Sequence, residues 1–291
     1  VVDSGFSQTL IRKSAPTDDD YKSVFVFNIV VSVALYILLV ALSPILASFY
    51  KLPIITRIAP VLMLLLPLGA LSVIQNTIFA RQFRFAELSR INFLSSAVAG
   101  VVAIAMALMK CGVWSLVGQR IAQMATKALL LWVRGSWKAQ GVFRYSALKA
   151  MSGFSFRLMG TDIISYLYNN IAQLFIGKIY SANTLGYFNQ AQKLKDTPVN
   201  ATMQSIQSVT FPALSKIQSD AQKFDDSYRR VVMVTAFVML PVMAGLIATA
   251  QDFYTLLLKP EWHPAIPYFR ILCIAGFFYP IAVVAYNILK V

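Results

Sequence analysis

The sequence predicts an all-α, polytopic membrane protein, and three observations carry that prediction. The 291 residues are 58% hydrophobic and only 13% charged, with mean hydropathy +0.65. An ordinary soluble domain carries roughly 25% charged residues, because its exterior must face water. The apolar residues are gathered into runs of about 20, the length of helix that crosses a bilayer. The 26 Lys+Arg against 12 Asp+Glu are also spread unevenly along the chain. Soluble globular, disordered and collagen-like classes are excluded on composition. The formal charge of +14 would suggest nucleic acid in a soluble protein, but in a membrane protein it is the ordinary basic bias of cytoplasmic loops, so no nucleic-acid partner is expected.

The elements follow in chain order. A helical stub precedes about Arg12, then a basic turn and the run Asp18-Asp19-Asp20, an acidic cluster suited to a helix N-terminus. Seven apolar spans are expected over 24–48, 57–80, 88–109, 113–134, 155–180, 229–250 and 267–289. Pro44, Pro67, Pro241 and Pro280 lie in or near them, which membrane helices tolerate when neighbours satisfy the freed carbonyl. Ser95, Ala99, Ala103 and Ala107 form a small-residue ladder for close helix packing. Tyr180, Tyr187, Tyr254, Trp262 and Tyr268 read as an interfacial aromatic belt. Cys111 and Cys273 are far apart in sequence, and the single histidine, His263, is expected in an exposed loop. No metal site, disulfide framework or cofactor is therefore expected.

The stretch 184–210 is too polar for a hydropathy scan, and charge decides its place. If it spans, alternate loops hold fourteen Lys/Arg against six. The richer set includes Arg12, Lys13, Arg81, Arg84, Arg90, Arg144, Lys149 and Arg229 and is cytoplasmic by the positive-inside rule. If 184–210 does not span, the basic residues of 211–230 move to the outer face and the bias weakens. Eight full spans are expected, with 184–210 a buried helix bent at Pro198.

Two stretches repeat. Phe6 to Val24 and Phe211 to Val231 both run from Phe through a basic turn to paired Asp, Tyr and a hydrophobic helix. Arg57-Ile58 precedes Pro67 as Arg270-Ile271 precedes Pro280. The order and offsets predict two pseudo-symmetric six-helix lobes in a parallel repeat, 1–140 and 141–291, each truncated in this chain. Both ends look cut, since the chain starts at Val1 and stops just past an apolar run. Pro67 should superpose near Pro280, and Asp19 near Asp225.

Seven ionisable residues fall inside the expected spans: Arg120, Lys127, Arg157, Asp162, Lys193, Lys195 and Asp196. Facing lipid together they would cost on the order of 20 kcal/mol, so they must face an interior, pair or snorkel. Arg120, Gln123 and Lys127 follow i, i+3, i+7; Asp162, Tyr166, Asn169 and Gln173 follow i, i+4, i+7, i+11; Asn189, Lys193, Asp196 and Asn200 repeat that pattern. Three polar stripes on three helices suit a wet cavity of net charge +3. Such a cavity suits an anionic solute and suits a cationic one poorly. Arg120, Lys127, Lys193, Gln123 and Asn169 are the candidate substrate-binding residues, in one central cavity. Asp162 and Asp196 are candidates for tuning that field or carrying a coupling proton. Lys193 and Asp196 are also spaced to pair with each other, and Arg157 and Lys195 to snorkel.

Gly5-Phe6-Ser7-Gln8-Thr9-Leu10-Ile11-Arg12-Lys13, Ala80-Arg81-Gln82-Phe83-Arg84-Phe85, Gly112-Val113-Trp114-Ser115-Leu116-Val117, Leu185-Gly186-Tyr187-Phe188-Asn189-Gln190-Ala191 and Phe211-Pro212-Ala213-Leu214-Ser215 together resemble the polysaccharide-transporter family. Within it the chain resembles the lipopolysaccharide/colanic-acid type of oligosaccharide flippase. That family shares a superfamily with the multidrug-and-toxin extrusion antiporters and the lipid II flippase. The resemblance implies two six-helix lobes around a central cavity in the bacterial cytoplasmic (inner) membrane. It also implies a polyprenyl-diphosphate-linked oligosaccharide as substrate, moved from the inner to the outer leaflet for cell-surface polysaccharide export. Membrane lipids and other polysaccharide assembly proteins are the partners expected. An ion-coupled small-molecule exporter of the same architecture is the alternative. A membrane glycosyltransferase or polymerase is disfavoured, because no sizeable loop carries clustered carboxylates.

Overall fold

The computed structural model describes residues 5–13, 15–217 and 221–278, with side chains described in those ranges except at 203–226 and 228. Among them the chain is helical without strands: α1 (Gly5–Arg12), α2 (Asp18–Tyr50), α3 (Ile54–Leu62), α4 (Leu65–Arg81), α5 (Phe85–Leu108), α6 (Trp114–Arg134), α7 (Tyr145–Ile179), α8 (Ala182–Ile217), α9 (Ala221–Ala248), α10 (Ala250–Leu257), a 3₁₀ turn (Pro260–Ala265) and α11 (Ile266–Gly276). Among the described residues four segments are long and apolar enough to cross a membrane: Asp18–Tyr50, Ile54–Arg81, Phe85–Leu108 and Arg229–Ala248. The helices α6, α7 and α8 are 21, 35 and 36 residues long but carry the polar stripes. The expected span 267–289 runs past the described residues, as do Pro280 and the Asp225 side chain.

The span expected at 57–80 is two helices, α3 and α4, and Pro67 explains the break. Its ring clashes with the carbonyl four residues back, at Met63, and it has no N–H to give. The Met63 carbonyl instead takes the Leu66 N–H at 3.0 Å, in the 3₁₀ pattern. Pro44 leaves α2 continuous, because the Ser43 hydroxyl donates to the Val40 carbonyl, at 2.8 Å, which proline deprives of its usual donor.

The chain packs as two compact units, Val1–Asn170 and Ile171–Val291. In the first, the acidic run opens α2 as expected. Thr17 and Asp20 form a reciprocal capping box, and Asp20 also holds the Lys13 ammonium at 2.6 Å. Replacing Asp20 with Ala should cost roughly 1–2 kcal/mol of stability, read as a lower thermal midpoint in detergent; an unchanged midpoint would show that the cap contributes nothing. Asp19 accepts from the Val142 N–H at 2.8 Å and pairs with Arg144 at 2.8 Å, while Lys22 donates to the Ala139 carbonyl. These bonds hold the 135–144 segment against the start of α2. Gly141 (φ +96°) is required there, since a Cβ would run into the Asp18 backbone. Trp137 of the same segment packs on Tyr21, Phe25 and Trp132. The first part of α7 joins this unit because Leu148 and Met151 share a core with Phe6 and Leu10. In the small-residue ladder, Ser95 and Ala99 are buried and Ala107 is exposed.

The second unit has its own core, built from Met239, Met243, Tyr254, Phe269 and Cys273 around Ala191 and Val199 of α8. Two expectations fail here. Tyr254 is fully buried rather than part of an aromatic belt. Burial pushes its phenol up to about 12, with the Cys273 thiol a smaller cause in the same direction. His263 lies half-buried in the 3₁₀ turn rather than in an exposed loop. The turn packs against α8, as the Tyr187–Trp262 ring contact at 6.1 Å records, so the residue next to Trp262 is drawn inward with it.

Candidate functional site

The helix α8 is where a polar sequence becomes a surface. Ser181 caps its start, accepting the Thr184 N–H at 3.1 Å. Tyr187, Ala191 and Leu194 recur at i, i+4, i+7 and pack into the core of the second unit. The polar residues are thereby turned the other way. Pro198 does not end the helix, and the Thr202 hydroxyl donates back to the Pro198 carbonyl at 2.9 Å.

The exposed side of α8 forms one wall of a groove of about 420 Å³, lined by Asn189, Gln192, Lys193, Asp196, Thr197 and Asn200, with Gln173 of α7 opposite. Gln173 Nε2 donates to Gln192 Oε1 at 3.3 Å and ties the two helices across it. The Lys193 ammonium has no hydrogen bond or ion pair among the described residues. The pairing that the spacing of Lys193 and Asp196 allows is not made: Asp196 takes its neighbour Lys195 instead, at 2.7 Å. The Lys195 side chain is only 15% exposed, so its charge needs a close partner, whereas Lys193 has the groove.

The candidate residues are distributed as follows. Lys193 and Asp196 line the groove. Asn169 lies exposed one turn before Gln173 on α7, and Asp162 lies half-buried two turns earlier still. On α6, Gln123 donates to Ser96 of α5 at 3.1 Å, Arg120 is exposed and Lys127 is half-buried. Neither Arg120 nor Lys127 makes an ion pair among the described residues. Arg157 is exposed and folds back on its own helix, Nε donating to the Gly153 carbonyl at 3.0 Å. Two lining residues escape the stripe pattern, Gln192 and Thr197. Thr197 stands one turn after Lys193, a spacing that would have found it; Gln192 enters only through its contact with α7.

The groove offers amide, hydroxyl and ammonium groups in a volume typical of a small-ligand site. Amides and hydroxyls suit sugar hydroxyls, and a solvated ammonium suits phosphate as a point charge. No group of three or more His, Cys, Asp or Glu stands together as metal ligands among the described residues.

The family described as polysaccharide biosynthesis protein matches residues 1–267. The chain belongs to that family. It is 27% identical over 282 residues to the teichuronic acid biosynthesis protein TuaB of Bacillus subtilis, covering 95% of this chain and 58% of the relative. The succinoglycan biosynthesis transport protein ExoT of Rhizobium meliloti is 21% identical, over 94% of this chain and 55% of its own length. The lipopolysaccharide biosynthesis protein WzxC of Escherichia coli is 29% identical over 119 residues, which is 41% of this chain and 24% of WzxC. The chain thus spans a little over half the length of the curated relatives it matches most fully. Among solved structures, it is similar to a multidrug resistance MATE family transporter of the MOP superfamily in an inward-facing conformation. The TM-score is 0.70 and the identity 14%, covering 98% of this chain and 71% of that one. That likeness shows the fold: this member of the family is a multi-pass helical membrane protein.

Proposed function

We propose that the chain forms part of a transporter that moves a polyprenyl-diphosphate-linked oligosaccharide from the inner to the outer leaflet of the bacterial cytoplasmic membrane. In this reading residues 1–140 and 141–291 belong to two six-helix lobes that rock to give alternating access. The observation that carries it is the unpaired Lys193 ammonium in a groove of amides and hydroxyls. A cation among sugar-binding groups suits an anionic glycan precursor. Arg120, Lys127, Gln123 and Asn169 are the further substrate contacts proposed, and Asp162 and Asp196 adjust the local field or carry a coupling proton. The membrane lipids and other polysaccharide assembly proteins are its partners. The names of ExoT, a succinoglycan biosynthesis transport protein, and of TuaB and WzxC, biosynthesis proteins of teichuronic acid and of lipopolysaccharide, support export of a saccharide. Transport rather than catalysis is the role assigned. The second reading, an ion-coupled small-molecule exporter, draws support from the MATE-like fold alone.

A leaflet-specific assay separates the two. Cells or vesicles holding the full-length protein should show the lipid-linked oligosaccharide in the outer leaflet, and those lacking it should not. Equal outer-leaflet levels with and without the protein would overturn the flippase reading, and ion-driven efflux of a small cation in their place would establish the second.

A further inference from the structure

A second cleft, of about 360 Å³, opens in the first compact unit between α1 and α7. One wall carries Thr9, Arg12 and Lys13, and the other Ala150, Met151 and Phe154. The walls are fastened together. Thr9 Oγ1 lies 2.8 Å from Ser155 Oγ, and Gly5 meets the Ser155 backbone so closely that a Cβ would collide with its carbonyl. The Arg12 guanidinium rests over the Phe154 ring, 4.9 Å from its centroid, with its N–H edge unbonded among the described residues. Arg81 Nη1 donates to the carbonyls of Leu10, Ile11 and Lys13 at 2.6–2.8 Å. It thereby covers the negative end of α1, which would otherwise repel an anion. Lys13 gives one of its donors to Asp20 and keeps others.

We propose that this cleft binds one anionic phospholipid from the leaflet on the basic side of the membrane, its phosphate on Arg12 and Lys13 and its upper acyl region against Ala150, Met151 and Phe154. Three features favour a lipid over a dissolved phosphate. The wall facing the cations is apolar, and a soluble anion gains nothing from it. Two of the segments apolar enough to cross a membrane start and finish beside α1, Asp18–Tyr50 through the Lys13–Asp20 pair and Ile54–Arg81 through Arg81, which sets Arg12 and Lys13 at headgroup depth. A guanidinium stacked on an aromatic ring presents its fork edge-on, the geometry that takes two phosphate oxygens at once. The site is separate from the α8 groove and does not depend on what the protein transports.

The test uses the full chain in phosphatidylcholine vesicles with trace spin-labelled lipid, reading the motionally restricted fraction. Spin-labelled phosphatidylglycerol should be retained at least about fivefold more than spin-labelled phosphatidylcholine, the ratio expected from one basic residue at an anionic surface. Arg12→Gln should remove most of that preference. Ala150→Trp, which fills the cleft and leaves the charges in place, should remove it as well. Arg90→Gln, an exposed cation on the same basic face, should leave it intact. Excess inorganic phosphate should not release the lipid. Equal retention of both lipids would overturn the proposal. So would equal losses from Arg12→Gln and Arg90→Gln, which would mark diffuse surface charge, or displacement by phosphate, which would mark a soluble-anion site.

Discussion

Export of the lipid-linked oligosaccharide should fall at least about tenfold when Lys193 is replaced by Ala. A charged hydrogen bond to phosphate contributes roughly 1.5–3 kcal/mol, and each 1.4 kcal/mol is about a factor of ten. Lys193 is exposed and unpaired among the described residues, so its removal strands no buried partner, and protein levels in the membrane should stay near normal. Lys193→Arg should restore most of the export, because the charge is kept and the groove is open enough for a longer head. The double change Arg120→Ala with Lys127→Ala should impair export in the same direction. Measured by the leaflet-specific assay, wild-type export from Lys193→Ala would remove the groove from the mechanism. Loss of export together with loss of protein would instead mark Lys193 as structural.

Phe269→Ala should be the most destabilising single core change, at about 3–5 kcal/mol. The ring is fully buried, stacked on Phe253 with centroids 6.2 Å apart and edge-on to Tyr254 at 5.5 Å. It shares its core with Met239, Met243 and Cys273, on α9 and α11, and with Ala191 of α8. Truncation leaves a void that three helices must collapse to fill. In detergent the thermal midpoint should drop by roughly 10 °C, and Phe269→Leu, which keeps most of the volume, should lose less than about half of that. An unchanged midpoint for Phe269→Ala would show that this cluster does not hold the second unit together. Because the same core seats the apolar side of α8, the Ala variant should also loosen the groove, and substrate binding should weaken even where the protein survives purification.

Much of this molecule is legible from local chemistry. The hydrophobic runs mark α2, α5 and α9, because a backbone in lipid must satisfy its own hydrogen bonds and helices do so within one segment. The Asp18-Asp19-Asp20 run marks the start of α2, since unpaired N–H groups there attract carboxylates wherever the helix goes. The i, i+4, i+7 spacing of Asn189, Lys193 and Asp196 places them on one side of α8, since helical period is a property of the chain alone.

Packing decided the rest, and each case turns on residues remote in sequence or on competing neighbours. Lys193 and Asp196 are correctly spaced to pair, yet Asp196 turns to Lys195, the more buried cation; helical spacing allows either, and burial selects. Tyr254 and His263 carry polar atoms that point to an interface, but the cluster around Phe269 encloses the first and the contact of the 3₁₀ turn with α8 half-encloses the second. The break at Met63 needs Pro67 and its steric reach, while the same residue type at Pro44 leaves α2 continuous because Ser43 lies beside it. The groove exists because Gln173 reaches Gln192 from another helix, and the α1–α7 cleft because Gly5 lets two backbones meet at Ser155. Periodicity shows which side of a helix is polar; which neighbour that side meets is set by side-chain volume and burial summed over the whole fold, and no local window of sequence contains that sum.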